Sequence, residues 1–180
     1  MNMPDRAEHV QERTVFAGPV FDLVDEQIRL PNGTTVHHLT VRHPGAVVII
    51  PRQADGTLLV IRQYRHSVRQ TLLEFPAGTR HPGEAPLACA RREIAEEVGH
   101  VAYTWESVGE FHPAPGFCNE VQYGFVATDL QPCKATRDAD ELIEVLSMPS
   151  AQIEQAIRSG IMTDGKSIAL YLRAKLRGLV

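Results

Sequence analysis

The chain has 180 residues, 43% of them hydrophobic and 22% charged, with a net charge of −4. That is enough apolar sequence for a sizeable buried core, and the balance excludes a disordered chain. The acidic charge and a pI near 6.0 exclude a protein built to grip a nucleic-acid backbone, but leave room for a small anionic ligand at a local site.

The start, MNMPDRAEHV, is polar and has no apolar segment of the signal-peptide kind. Val20 to Leu30 alternates in part, Pro31-Asn32-Gly33 makes a turn, and Thr34 to Val41 is a second extended run, so a hairpin is expected near the N-terminus. Ala46 to Ile50 reads as a short buried strand, far too short to span a bilayer. Asp55-Gly56 turns the chain into Thr57 to Gln63, and Leu72 to Phe75 leads into the loop Gly78 to Gly83. Pro86 to Val98 reads as a helix, with proline in its first turn and Gly99 where a left-handed C-terminal residue is favoured. Extended runs follow at Ser107 to Phe111, Val121 to Thr128 and Ile143 to Met148. The end is helical: Ala151 to Arg158 stops at Ser159-Gly160, and Asp164 can cap Lys166 to Arg177. Strands around a central helix, with helices closing the chain, predict an α+β fold: an N-terminal hairpin segment over 1–43, then a core domain over 44–180. Cys89, Cys118 and Cys133 are odd in number and form no CxxC pair, so reduced thiols in a cytoplasmic protein are expected.

The chemistry concentrates in GTRHPGEAPLACARREIAEEVGH, Gly78 to His100. On a helix Glu93, Glu96 and Glu97 fall at i, i+3 and i+4 and share one face, while Leu87, Ala90, Ile94 and Val98 form an adjacent apolar face. Like charges at this spacing repel, and in the last turns the helix dipole disfavours them, so local stability does not select the pattern. One reading is a solvated charged face salted by Arg91 and Arg92; the other is a site for a hard divalent cation, which takes oxygen ligands.

Gly78, Glu84, Arg92, Glu93, Ile94, Glu96, Glu97 and Gly99 fit eight of the nine constrained positions of the Nudix hydrolase signature GX5EX7REUXEEXGU, where U is aliphatic. His100 departs at the final U, a packing position. The resemblance implies the Nudix α/β/α sandwich with a mixed sheet. It also implies Mg²⁺, with Mn²⁺ able to substitute, held by Glu93, Glu96 and Glu97 and by the carbonyl of Ala77. Arg92 and Glu84 would orient these carboxylates.

Further features resemble the branch that cleaves ADP-ribose and other nucleoside diphosphate sugars. Pro115-Gly116-Phe117 stands sixteen residues beyond Gly99; it is also a good plain turn. Gln63-Tyr64-Arg65 matches a triplet whose arginine reaches the substrate diphosphate, a task suited to guanidinium, although a structural arginine at a strand end is the competing reading. The ending DGKSIALYL, Asp164 to Leu172, is of the same type. Phe21 and His38 are candidate stacking surfaces for a base, Gly116 and Phe117 candidate substrate contacts, and Glu120 a partner for a sugar hydroxyl. Among the acidic residues before the Ile143 run, Glu141 is the preferred general base, with Asp140, Glu144 and the in-box Glu96 as alternates; an acidic loop without chemical duty is the other reading. One departure matters: where several ADP-ribose enzymes carry Arg-Glu, this chain has His38-Leu39, and leucine has no acceptor for a base.

The resemblance thus implies hydrolysis of ADP-ribose to AMP and ribose 5-phosphate, with GDP-mannose, UDP-glucose or another sugar nucleotide as the alternative substrate. A nucleotide-sugar sensor that binds without cutting is a different class, against which the intact acidic set stands. No nucleic-acid or membrane partner is expected. A homodimer is, since many relatives exchange N-terminal strands.

Overall fold

The structure is a computed structural model, described over residues 7–134 and 142–180. Its strands are β1 (Glu8–Ala17), β2 (Asp22–Arg29), β3 (Thr35–Arg42), β4 (Ala46–Pro51), β5 (Leu58–Arg65), β6 (Gln70–Glu74), β7 (Ala77–Thr79), β8 (His100–Phe111), β9 (Gln122–Pro132) and β10 (Ile143–Met148). The helices are α1 (Pro86–Val98), α2 (Ser150–Arg158) and α3 (Gly165–Leu176). The fold is α+β. No helix among the described residues is long and apolar enough to cross a membrane.

The chain divides into two compact units. One takes the residues up to Pro44 together with His112–Val121; the other takes Gly45–Phe111 and Gln122–Val180. In the first, β1, β2 and β3 form an antiparallel sheet in that order. The expected hairpin is β2 and β3, closed by Gly33 at φ 84. β1 is a strand that the alternation did not reveal, because all ten of its residues are exposed and no buried face imposes a period of two. The segment 112–121 is strapped to β3 through its backbone: Val41 N–H donates to the Phe117 carbonyl at 2.8 Å, and Asn119 N–H to the Val41 carbonyl at 3.1 Å.

The second unit is a sandwich. Its sheets run β10-β5-β6, all antiparallel, and β7-β4-β9-β8, in which β4 and β9 are parallel. Buried on both sides, β4 sends alternate residues in opposite directions, as a pleated strand must. Val47 and Ile49 join Cys89, Ala90, Ile94 and Val98 of α1, while Val48 and Ile50 join Ile153 and Ala156 of α2 and Leu170 and Ala174 of α3. Each fully buried aliphatic side chain contributes about 1.5–3 kcal/mol.

The helix expected over Pro86 to Val98 is α1 with the same bounds, and Gly99 closes it at φ 70 and ψ 34, donating to the Ala95 carbonyl. His100 opens β8 with its Nδ1 3.0 Å from the Val98 carbonyl, one of the oxygens a helix end leaves without a helical partner, so a polar ring fits an aliphatic position. β8 is much longer than the expected run Ser107 to Phe111: it starts at His100, and its first half packs Ala102 and Trp105 against the core while Tyr103 and Thr104 are exposed. The three cysteines are free thiols.

Candidate active site

Two glutamates of α1 face the strand β7. Glu97 and Glu93 lie on the buried side of the helix, 1% and 7% exposed. A buried carboxylate needs donors or opposite charge. Ala77 N–H donates to Glu97 Oε2 at 2.9 Å. Gly78 lies so close to Glu93 that a Cβ built on it would fall 1.9 Å from the carboxylate carbon. Two consecutive residues of β7 thus touch two carboxylates one helical turn apart.

Arg92 organises the rest. Its Nη1 donates to Glu93 Oε1 at 2.6 Å and Glu96 Oε2 at 2.9 Å; its Nε and Nη2 each reach Glu84 at 3.2 Å, and Nη2 also reaches the Thr79 carbonyl at 3.1 Å. Glu84 in turn accepts from His81 N–H at 2.9 Å, and the hydrogen bond from Arg92 holds its carboxyl down at about 2. The Arg92 guanidinium is held above its usual range: desolvation opposes this, and Glu84, Glu93 and Glu96 outweigh it. Arg80 clamps the loop from outside, donating through Nε to the Glu84 carbonyl at 2.9 Å and standing 5.4 Å over the Tyr123 ring. Cys89 is buried beneath, and desolvation pushes its thiol up to about 12, so it is an inert packing group.

The donor set suits a hard divalent cation: carboxylates from Glu93, Glu96 and Glu97, and the Ala77 carbonyl as a further oxygen on the strand that abuts them. A tighter cluster of potential ligands lies elsewhere, at His9, Glu12 and Glu26, but there Arg42 already donates to both carboxylates.

Beside the helix, Arg65 at the end of β5 donates from Nε to Glu74 Oε1 at 2.9 Å and from Nη2 to Glu74 Oε2 at 2.7 Å. Glu74 is fully buried at the end of β6. Desolvation acts to raise its carboxyl, but the hydrogen bond from Arg65 and the charges of Lys166 and Arg65 prevail and hold it below the usual carboxylate range. The Arg65 guanidinium is raised, first by its bond to Glu74, with the charges of Glu97 and Asp164 contributing. The sequence singles out Arg65, as a diphosphate contact or as a structural arginine at a strand end, but not Glu74 or Lys166; the fork on Glu74 is a structural pairing. A lone charge at a strand end or in a helix's first turn carries no motif, and the Lys166–Glu74 contact spans 92 positions of chain.

The remaining candidates fall in three places. In the first unit, Phe21 is 44% and Phe117 59% exposed. Gly116 sits in the same loop as Phe117. His38 lies with its Nδ1 3.2 Å from Thr40 Oγ, and Leu39 is exposed. Glu120 stands 3.9 Å from His43 Nδ1. In the second unit, Glu144 pairs with Arg62 at 3.5 Å, and strand alternation puts it on the face of β5 opposite Arg65. Asp140 and Glu141 lie outside the described residues.

Comparison with known proteins gives a consistent picture. An ADP-ribose pyrophosphatase of Bacillus subtilis (strain 168) is 32% identical over 160 residues, covering 88% of this chain and 86% of that one. A GDP-mannose pyrophosphatase of Yersinia enterocolitica is 32% identical over 172 residues, covering 89% and 87%. A solved structure, described as the crystal structure of ADP compounds hydrolase, superposes over 100% of both chains with a TM-score of 0.85 at 22% identity, which shows the same fold. Residues 41–169 match the family model of the NUDIX domain, a span holding Arg65, Glu74 and the whole carboxylate helix, so the chain belongs to the NUDIX domain family.

Proposed function

We propose that this protein hydrolyses the diphosphate of a nucleoside diphosphate sugar, with ADP-ribose as substrate and AMP and ribose 5-phosphate as products. The observation that carries this reading is the convergence of Glu93 and Glu97 on Ala77 and Gly78 beside the Arg92-held Glu96. Glu93, Glu96, Glu97 and the Ala77 carbonyl would hold Mg²⁺, or Mn²⁺ in its place. When bound, the ion polarises the diphosphate oxygens and makes a water nucleophilic near neutral pH. Arg92 keeps the carboxylates aligned, and Arg65 grips diphosphate oxygens through guanidinium donors not engaged by Glu74. Glu141 is proposed as general base, with Glu96 as the alternate on the helix. Phe21, His38, Gly116, Phe117 and Glu120 keep their proposed roles in reading nucleoside and sugar on the strength of residue type and resemblance.

A second reading keeps the chemistry and changes the base. Leu39 is exposed and offers no hydrogen-bond acceptor, and a relative of equal identity carries the name GDP-mannose pyrophosphatase. Comparing kcat/KM for ADP-ribose, GDP-mannose and UDP-glucose in Mg²⁺ separates the two. The expected order puts ADP-ribose first; a rate far above it for another sugar nucleotide reassigns the substrate. Binding of all three without turnover points to a sensor instead.

We further propose a cytoplasmic homodimer formed through the N-terminal strands. β1 supports this: all ten residues are exposed, and Val10, Val15 and Phe16 are 41%, 50% and 56% exposed. Such a strand at a sheet edge invites pairing with another chain. Light scattering at micromolar concentration should return twice the 20.0 kDa chain mass; a monomer mass refutes the dimer.

A further inference from the structure

The cluster around Glu74 holds more cations than a buried carboxylate requires. The Arg65 fork already satisfies both oxygens of Glu74. Lys166, in the first turn of α3, nevertheless donates its Nζ to Glu74 Oε2, the oxygen that also accepts from Arg65 Nη2. Lys166 is itself held at 2.9 Å from Asp164 Oδ1, and its side chain is only 14% exposed. Asp164 is fixed in turn: its Oδ2 accepts from Ser167 N–H at 3.0 Å and from the Ser167 hydroxyl, which also accepts from Phe75 N–H at 2.8 Å. The start of α3 is thereby bonded to the end of β6 at two successive residues, Glu74 and Phe75.

The consequence is geometric. A carboxylate bonded only to Arg65 can turn with it as a hinged pair. One also anchored by a lysine on another element cannot, and a planar guanidinium on its fork is then fixed in plane and direction. Strand alternation puts Gln63, Arg65 and Glu74 on the same face of β5 and β6, and among the carboxylates of α1 it is the charge of Glu97 that acts on Arg65.

We propose that Lys166 is a positioning residue for the diphosphate-binding arginine: held by Asp164, it anchors the buried Glu74 on which the Arg65 guanidinium is aligned. This rests on the reading of Arg65 as the diphosphate contact. It gives the DGKS segment at the start of α3 a task in substrate binding, exercised without touching substrate.

Removing Lys166 leaves Glu74 paired with Arg65, so the fold should survive while the alignment loosens. Steady-state kinetics on ADP-ribose with Mg²⁺ test this in four proteins: the parent, Lys166→Met, Arg65→Met and the double variant. Lys166→Met is expected to raise KM about tenfold with kcat changed less than about twofold, the pattern of lost ground-state binding by an outer residue. Lys166→Arg, which keeps the charge, should recover most of the loss. In the Arg65→Met background, Lys166→Met should change KM no further. An equal increase in both backgrounds means general loosening and overturns the proposal; so does an unchanged KM in Lys166→Met while Arg65→Met raises it, which leaves the Arg65 reading standing. An unchanged KM in Arg65→Met removes that reading and this proposal together. Lys166→Gln, which keeps donors without charge, replaces Lys166→Met both alone and in the double variant if circular dichroism shows either protein misfolded, since losing both cations leaves Glu74 buried without a counter-charge.

Discussion

Glu97→Gln should lower kcat on the order of 10³-fold or more, the size of effect seen when a principal stabiliser of developing charge is removed. The change is nearly isosteric, and the fold gives it a clean background. Glu97 accepts from Ala77 N–H, and a glutamine oxygen can accept that bond equally well. What the amide lacks is the negative charge that a hard cation requires. Replacing a 1%-exposed carboxylate by a neutral group removes a desolvated charge but also its attraction to Arg65; the two oppose each other, so the melting temperature should change little. The decisive pair of measurements is kcat in saturating Mg²⁺ and a thermal melt. Near-parental kcat with an unchanged melt would remove Glu97 from the metal set and leave the carboxylate helix as a structural feature.

Gly78→Ala is expected to lower kcat about 100-fold, because a displacement of the order of 1 Å in a reacting constellation has that effect. Gly78 sits in β7 paired with Val47, outside the positive-φ glycines, so its backbone would accept any residue. Glycine is needed there because of Glu93: an added Cβ would lie 1.9 Å from both the carboxylate carbon and Oε1, and 2.4 Å from Oε2. The group that must yield is the far end of a flexible side chain, so the strand survives and the carboxylate moves. The expected signature is a fall in kcat together with a weaker apparent affinity for Mg²⁺ in activity titrations, while circular dichroism stays parental. A loss of stability without loss of activity per folded molecule would show that Glu93 can reposition freely and is not a fixed ligand.

What could be read from the sequence differs sharply between elements. α1 was legible to the residue, because amphipathic spacing, Pro86 and Gly99 all act within one helix length. The placement of Glu93, Glu96 and Glu97 on one helix around Arg92 was legible for the same reason, being a local spacing. β1, β7 and the first half of β8 were not. β1 is exposed throughout, buries no face and so carries no period; the first half of β8 packs Ala102 and Trp105 on the core at a spacing of three rather than two; and the three residues of β7 are specified by backbone pairing to β4 and by the carboxylates they abut. Within the site, the roles of Glu74 and Lys166 depend on contacts between β6 and α3 that no local pattern encodes. The cap at Asp164 was legible as a cap; that it also steadies a lysine bonded to Glu74 was not.

The unit that holds the N-terminal sheet is discontinuous in sequence, and this bears on how the chain is made. β1, β2 and β3 leave the ribosome before the segment His112–Val121 that bonds to β3, which follows some seventy residues after β3 ends, behind β4 to β8. The first unit therefore reaches its full set of backbone bonds only after much of the second has been synthesised. Cutting the gene at residue 44 would not release a module: the downstream fragment would keep the loop and lose the strand that straps it.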